Sequence, residues 1–185
     1  MKRVKGIYDD KQQLMIIASL TKSNGMMGVL FFLGVVTGLR ISDLLALEVG
    51  QMAQTFEAHE SKTGKTKIIT LTDNHWHFIE VYMIGMKATD KLFPTSRQTV
   101  HKYFKRVEKD LGLADIGTHT MRKTYAYNVF RDSGCLKTVQ KALQHKYMSV
   151  TIGYLVSGFV FAVKMAHKGK PVSREVQPCY TAVED

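Results

Sequence analysis

The sequence predicts a mainly α-helical domain that carries one small antiparallel β-hairpin, an α+β fold. Three observations lead there. Apolar residues recur at helical spacing through most of the chain, in segments opened by capping residues and closed by Asn-Gly or Ser-Gly. One stretch alone, Thr55 to Leu71, alternates or is β-branched, and it is centred on the turn Ser61-Lys62-Thr63-Gly64. Finally, 185 residues with 45% hydrophobic content suffice for one sizeable core. The expected organisation is a single domain over residues 1–166 and an extended or mobile tail over 167–185, where Gly169, Pro171 and Pro178 interrupt regular structure.

Taken in order, Asp9 or Asp10 can cap a first helix through Leu14, Ile16, Ile17 and Leu20, and Asn24-Gly25 breaks it. Met26 to Val36 is nearly all apolar and does not alternate, which predicts a buried helix ending at the Thr37-Gly38 turn. Leu39 to Leu47 reads as a short amphipathic helix with Leu39, Leu44, Leu45 and Leu47 inward and Arg40 and Asp43 together on another face. The hairpin follows, with Lys62 near its tip. Asp73 or Asn74 can cap a helix bearing Trp76, Phe78, Ile79, Tyr82 and Met83, and Ser96 one that runs to Leu111. Thr118 or His119 starts a helix that ends at Ser133-Gly134. Leu136 to Leu143 is a short helix, Met148 to Ile152 leads to Tyr154, and Leu155 to Ala166 reads as an apolar helix.

Charge narrows the choice of partner. Lys and Arg number 26 against 16 Asp and Glu, a formal balance of +10, which favours a polyanion. The longest apolar runs, Met26 to Val36 and Leu155 to Val163, are too short to span a bilayer, so no membrane role is expected. The N-terminus has no apolar run of the signal-peptide kind. Cys135 and Cys179 lack metal-ligand spacing and read as the reduced thiols of a cytoplasmic protein. The histidines form no zinc pattern, there is no phosphate-binding Gly-rich loop, and the acidic residues form no two-metal set. No cofactor and no metal are expected.

The residues that remain are cations, imidazoles and one phenol. His119-x-x-Arg122 places an imidazole and a guanidinium three apart. Arg40 and Lys62 lie upstream, and His145 and Tyr154 downstream. Each has an ordinary structural reading: an ion pair with Asp43 for Arg40, a solvated turn lysine for Lys62 with Lys65 and Lys67 nearby, a core histidine for His145, a core aromatic for Tyr154. Together they suit one task, which is to hold a phosphodiester, attack it and protonate what leaves.

Their order and spacing resemble the catalytic domain of the tyrosine recombinases, the phage integrase family, from about Leu30 to Tyr154. TGLRISDLLAL (Thr37 to Leu47) resembles the motif of the first catalytic Arg, which falls on Arg40, with Asp43 at the supporting acidic position. SKTGKTKIITL (Ser61 to Leu71) resembles the hairpin with the catalytic Lys, which falls on Lys62. HTMR (His119 to Arg122) matches the His-x-x-Arg box. ALQHKYMSVTIGY (Ala142 to Tyr154) matches the box of the second His and the nucleophile, His145 and Tyr154. Two departures stand out. Gln144 replaces the usual Gly before His145, where a Gly permits close backbone packing, so the turn is expected to be slightly altered. The residues ahead of Arg40 leave no room for the separate DNA-clamping domain of typical integrases, as in the catalytic-domain-only members.

The resemblance implies a site-specific recombinase, of integrase or invertase type, that cleaves and rejoins double-stranded DNA. Tyr154 would form a 3′-phosphotyrosyl link, Arg40, Arg122 and His145 would hold the phosphate, Lys62 would protonate the 5′-oxygen, and His119 would help accept the Tyr proton. It also implies a homo-tetramer on DNA, docked through the helix after Tyr154, with accessory DNA-bending proteins as candidate partners, and a cytoplasmic, nucleoid-associated protein of bacterial or phage origin. The competing readings are a tyrosine-type topoisomerase and a DNA-binding regulator that keeps the fold without catalysis.

Overall fold

A computed structural model describes residues 4–156. The mainly helical architecture with one antiparallel hairpin is the one expected. Asp9 caps α1 (Asp10–Ser23) by accepting from the Lys11 N–H. Asn24 then does two things: its N–H closes α1 on the Leu20 carbonyl, and its side chain accepts from Met27 N–H to open α2 (Gly25–Thr37). α2 is apolar nearly all round because it is packed on several sides, by α1, α4 and α6. Leu30, Phe31 and Leu33 are fully buried at the centre of the main core, with Ile16 and Leu20 of α1.

Two details depart from expectation. The helix foreseen over Leu39 to Leu47 is only α3 (Ile41–Leu44). Its end tightens into three-residue turns, and the chain then leaves to pair with the segment ahead of Phe93: Leu92 N–H donates to Leu47 O, and Glu48 bridges Lys91. Leu14, one of the apolar residues that mark the first helix, is 66% exposed. Thr72, neither Asp73 nor Asn74, caps α4 (Asp73–Met83), accepting from His75 N–H. In α4 Ile79 alone is fully buried, while Trp76, Phe78, Tyr82 and Met83 cover the core's edge.

The hairpin is β1 (Thr55–His59) paired with β2 (Thr66–Thr70) in the register Phe56 to Ile69 and Ala58 to Lys67. Phe56, Ala58 and Ile69 face the core. Ser96 caps α5 (Arg97–Asp110), which buries Val100, Phe104 and Val107 and turns its basic side outward. α6 (Thr120–Ser133) follows, then α7 (Leu136–Ala142), then a helix α8 from 148 to the last described residue, 156. Ala126, Tyr127, Val139, Leu143 and Leu155 of these last elements form a second, smaller core cluster. The N-terminal strand of chain is laid along α6: Ile7 N–H donates to Thr124 Oγ1 (2.9 Å) and Lys123 Nζ to Val4 O (2.7 Å).

Cys135 is disulfide-bonded, which departs from the reduced-thiol expectation. No helix among the described residues is long and apolar enough to cross a membrane. The continuation of the apolar helix after Tyr154, its expected docking role, the tail and the domain boundary at residue 166 lie outside the described residues.

Candidate active site

The site is assembled from the ends of α2, β1, α6 and α7, and a buried guanidinium joins them. α2 ends at Gly38, whose φ of 67° is left-handed and whose α-carbon faces the Tyr125 ring so closely that a Cβ would run into it. The Gly38 carbonyl accepts from Arg122 Nη1 at 2.6 Å. On the other side Arg122 Nη2 donates to the Leu143 carbonyl at 2.6 Å, and Nη1 lies 3.5 Å from Glu60 Oε1. Arg122 is 1% exposed. It thereby ties the flank of the main core, through Gly38, to the smaller cluster, through Leu143.

Arg40 stands two residues after Gly38, in extended backbone at the start of α3. Its Nη1 is 2.6 Å from Glu60 Oε2 and 3.8 Å from Asp43 Oδ2. Asp43 is buried and anchors the hairpin turn: its Oδ1 accepts from Ser61 Oγ (2.7 Å) and Ser61 N–H (3.1 Å). Sequence reasoning missed Glu60. Along β1 the inward positions are Phe56 and Ala58, and Glu60 is the next at period two. A carboxylate in that register was the available signal, since an unpaired charge is not buried.

The hairpin turn, with Gly64 at φ 67°, presents Lys62 and Lys65 to an open cleft of about 960 Å³. Lys67 is different. It points inward from β2, donates to the Thr37 carbonyl (2.7 Å) and lies over the Tyr125 ring, outside the cleft lining. Burial, with the Arg122 charge, pulls its pKa down to about 8. An acidified lysine is thus present, but at the wrong place for a cleft-bound leaving group.

His119 opens α6 and lines the cleft, while Arg122, one turn later, lies behind it. Desolvation, then the charges of Arg97, Arg122, Lys123 and Arg40, lower the His119 pKa. His145 is placed by the end of α7. Gln144 N–H donates to Lys141 O and His145 N–H to Gln140 O, a Schellman pair, with Gln144 left-handed at φ 52°. The position calls for a positive φ, which a Gly would take freely and Gln takes at a conformational cost of about 1 kcal/mol. His145 Nδ1 lies 3.1 Å from Thr151 Oγ1, and desolvation, followed by the Arg122 and Arg40 charges, pushes the His145 pKa down to about 4.

Tyr154, on α8, packs its ring 5.0 Å from the His145 ring. It lines the same cleft as Arg40, Lys62, His119 and His145. Among the described residues, five Lys or Arg line that cleft (Arg40, Lys62, Lys65, Arg97 and Lys146) and no Asp or Glu does, a lining that favours an anion. Ile41, Leu45, Tyr147 and Val150 give it an apolar wall. Among the described residues no three His, Cys, Asp or Glu gather as metal ligands.

The profile of the Phage integrase family matches residues 8–159. A probable integrase/recombinase, YoeC, of Bacillus subtilis (strain 168) is 33% identical over 135 residues, 68% of this chain and 75% of that protein. The tyrosine recombinase XerA of Saccharolobus solfataricus is 31% identical over 118 residues, 62% of this chain but 40% of the relative. Among solved structures, the catalytic domain of bacteriophage HP1 integrase superposes with a TM-score of 0.65 at 19% identity, covering 91% of this chain and 99% of that one. XerA recombinase gives 0.72 at 18% identity, covering 92% and 66%. These likenesses show the fold of an isolated catalytic domain, and with the profile match across most of the sequence they establish that the chain belongs to the phage integrase family, the tyrosine recombinases.

Proposed function

We propose that this chain is the catalytic unit of a site-specific DNA recombinase that breaks and rejoins DNA through a 3′-phosphotyrosyl link on Tyr154. The observation that carries the reading is that the phenol shares one cationic, carboxylate-free cleft with Arg40, Lys62, His119 and His145. The Tyr154 oxygen attacks the phosphorus, the bond to the 5′-oxygen breaks, and the covalent link conserves the energy for the reverse step by a 5′-hydroxyl. Arg40 donates to the non-bridging oxygens. Arg122 adds positive potential from behind the cleft, where low polarity lengthens its reach. His145, neutral at neutral pH, keeps a proton on Nε2 for the phosphate if the Thr151 hydroxyl donates to Nδ1. His119, also neutral, is free to accept the Tyr proton, and Lys62 gives a proton to the departing 5′-oxygen.

Double-stranded DNA is the proposed partner, in a synapse of four protomers. Support for the DNA partner comes from proteins of similar fold: lambda integrase has been crystallised as a dimer bound to a COC′ core site, and XerH bound to palindromic difH substrate. Accessory DNA-bending proteins, target site and reaction direction belong to the same proposal.

A nicked suicide duplex from the flanks of the gene tests it. A covalent protein–DNA band on a denaturing gel that disappears in Tyr154→Phe is the expected result. An adduct that persists in that variant removes Tyr154 as nucleophile, and binding without any adduct favours the regulator reading. Relaxation of sequence-random plasmid would favour the topoisomerase.

A further inference from the structure

Glu60 belongs to no motif of the catalytic set, yet it is the group on which both arginines converge. It is 0% exposed. Its Oε2 lies 2.6 Å from Arg40 Nη1 and accepts from Thr63 Oγ1 at 3.0 Å, and its Oε1 lies 3.5 Å from Arg122 Nη1. One carboxylate therefore has a cation on each oxygen and a hydroxyl from the turn that carries Lys62. The Nη1 end of Arg40 is itself fully buried, although Arg40 lines the cleft, and it makes no hydrogen bond of good geometry there, so its contact with Glu60 is an ion pair set by charge and distance. The remainder of that guanidinium is what the cleft can use.

Resting on the recombinase reading, we propose that Glu60 is a positioning residue: it grips Arg40 by Nη1 from behind and thereby aims the free edge of the guanidinium at the phosphate. The physical need is plain. An arginine side chain has many rotamers, and two guanidinium groups held near one another repel. A buried carboxylate between them offsets that repulsion and fixes one geometry. The Thr63 bond extends the same anchor to the hairpin turn, so the aim of Arg40 and the place of Lys62 are set together. Glu60 touches neither the phosphate nor the nucleophile, so its removal should spare binding and damage the chemical step. Misplacing a reacting group by about 1 Å costs about 10²-fold.

The test uses the whole chain with Glu60→Gln and Glu60→Asp. With the nicked duplex at saturation, Glu60→Gln should form the Tyr154 adduct about 10²-fold more slowly while the Kd for intact duplex changes less than about threefold. Glu60→Asp, which keeps the charge but draws it back by one methylene, should recover part of the rate. Nitrogen-15 NMR of the arginine side chains, assigned with Arg40→Lys, should show slow proton exchange at Arg40 without DNA, and fast exchange in Glu60→Gln. An unchanged rate in Glu60→Gln overturns the proposal. A raised rate also overturns it and makes Glu60 a competitor for the phosphate. If Glu60→Gln does not fold, Glu60→Asp and the wild-type exchange decide: a full rate in the former or solvent-rate exchange in the latter is fatal. A wild-type chain that forms no adduct would overturn the recombinase reading instead, and the exchange measurement still judges the grip on Arg40.

Discussion

Arg122 and Lys62 both bring a basic side chain to one cleft, and they are built in opposite ways. Arg122 is 1% exposed, with its donors taken by the Gly38 and Leu143 carbonyls and its charge faced by Glu60. Lys62 is exposed at a hairpin turn whose shape comes from Gly64 and from the Ser61 bonds to Asp43. The floor of the cleft is thus structure that also carries charge. Its rim is charge carried on an exposed side chain. The same substitution, cation to Ala, should separate the two regions by what it damages.

The largest effect is expected at the floor. Arg122→Ala leaves Glu60 with one cation fewer and two carbonyls without their donor, so it should lower unfolding free energy by about 3–5 kcal/mol, measured by denaturant titration. Arg122→Lys keeps the charge but cannot reach two carbonyls on opposite sides with a planar fork, and it should recover only part of the loss. Full stability in Arg122→Ala would break the contrast outright.

At the rim, Lys62→Ala should leave stability within about 0.5 kcal/mol and slow adduct formation by about 10²- to 10⁴-fold, the range for loss of a general acid. Lys65→Ala sharpens the assignment, since Lys65 lines the same cleft and should cost much less. A sulfur-substituted 5′-leaving group, which needs no proton, should restore Lys62→Ala. Lys67 offers the instructive comparison. Its pKa is lowered to about 8, but its ammonium is bonded to Thr37 O outside the cleft.

Much of this arrangement was legible in the sequence, and what was not has a common cause. Caps, Asn24-Gly25 and the hairpin turn are local signals, read within a few residues, and they located the helices and the strand pair well. The residues that the motifs single out, Arg40, Lys62, His119, His145 and Tyr154, line one cleft. Depth was not legible. His-x-x-Arg sets which face Arg122 takes, but its burial depends on Gly38 and Leu143, which are distant in the chain. Glu60 was passed over because a Glu in an alternating strand normally faces water; its register with Phe56 and Ala58 mattered more than its type. The end of α3 was set by pairing with Leu92, again a remote partner.

The histidines give a smaller effect, with a definite sign. His145 has a folded pKa of about 4 against an ordinary 6.5, and His119 is lowered too. The unfolded chain therefore takes up protons first as pH falls. The stability tied to neutral His145 is complete above about 6.5 and is lost as pH drops toward about 4. Denaturation midpoints measured from neutral pH down to about pH 5 should fall, and His145→Asn should flatten the slope. Bound DNA should do the same, because a phosphate facing the imidazole favours its charged form.

The smallest effect expected is at Gln144, where floor and rim meet. Its backbone at φ 52° is held by the two Schellman bonds that end α7. Gly would relieve about 1 kcal/mol of left-handed strain but adds freedom to the unfolded chain and gives up the Gln144 Nε2 bond to Thr66 O (3.3 Å). That bond spans from α7 to β2 and is long and exposed, so its loss is minor, and Gln144 Oε1 is buried without a partner, which favours removal. The balance should be a gain of about 0.5 kcal/mol in Gln144→Gly, with adduct formation unchanged because His145 keeps its turn. Gln144→Val tests the same argument from the other side. A β-branched residue tolerates positive φ poorly, so this variant should lose stability and disturb His145 at once. Equal stability in the Gly and Val variants would show that the turn owes nothing to its left-handed residue.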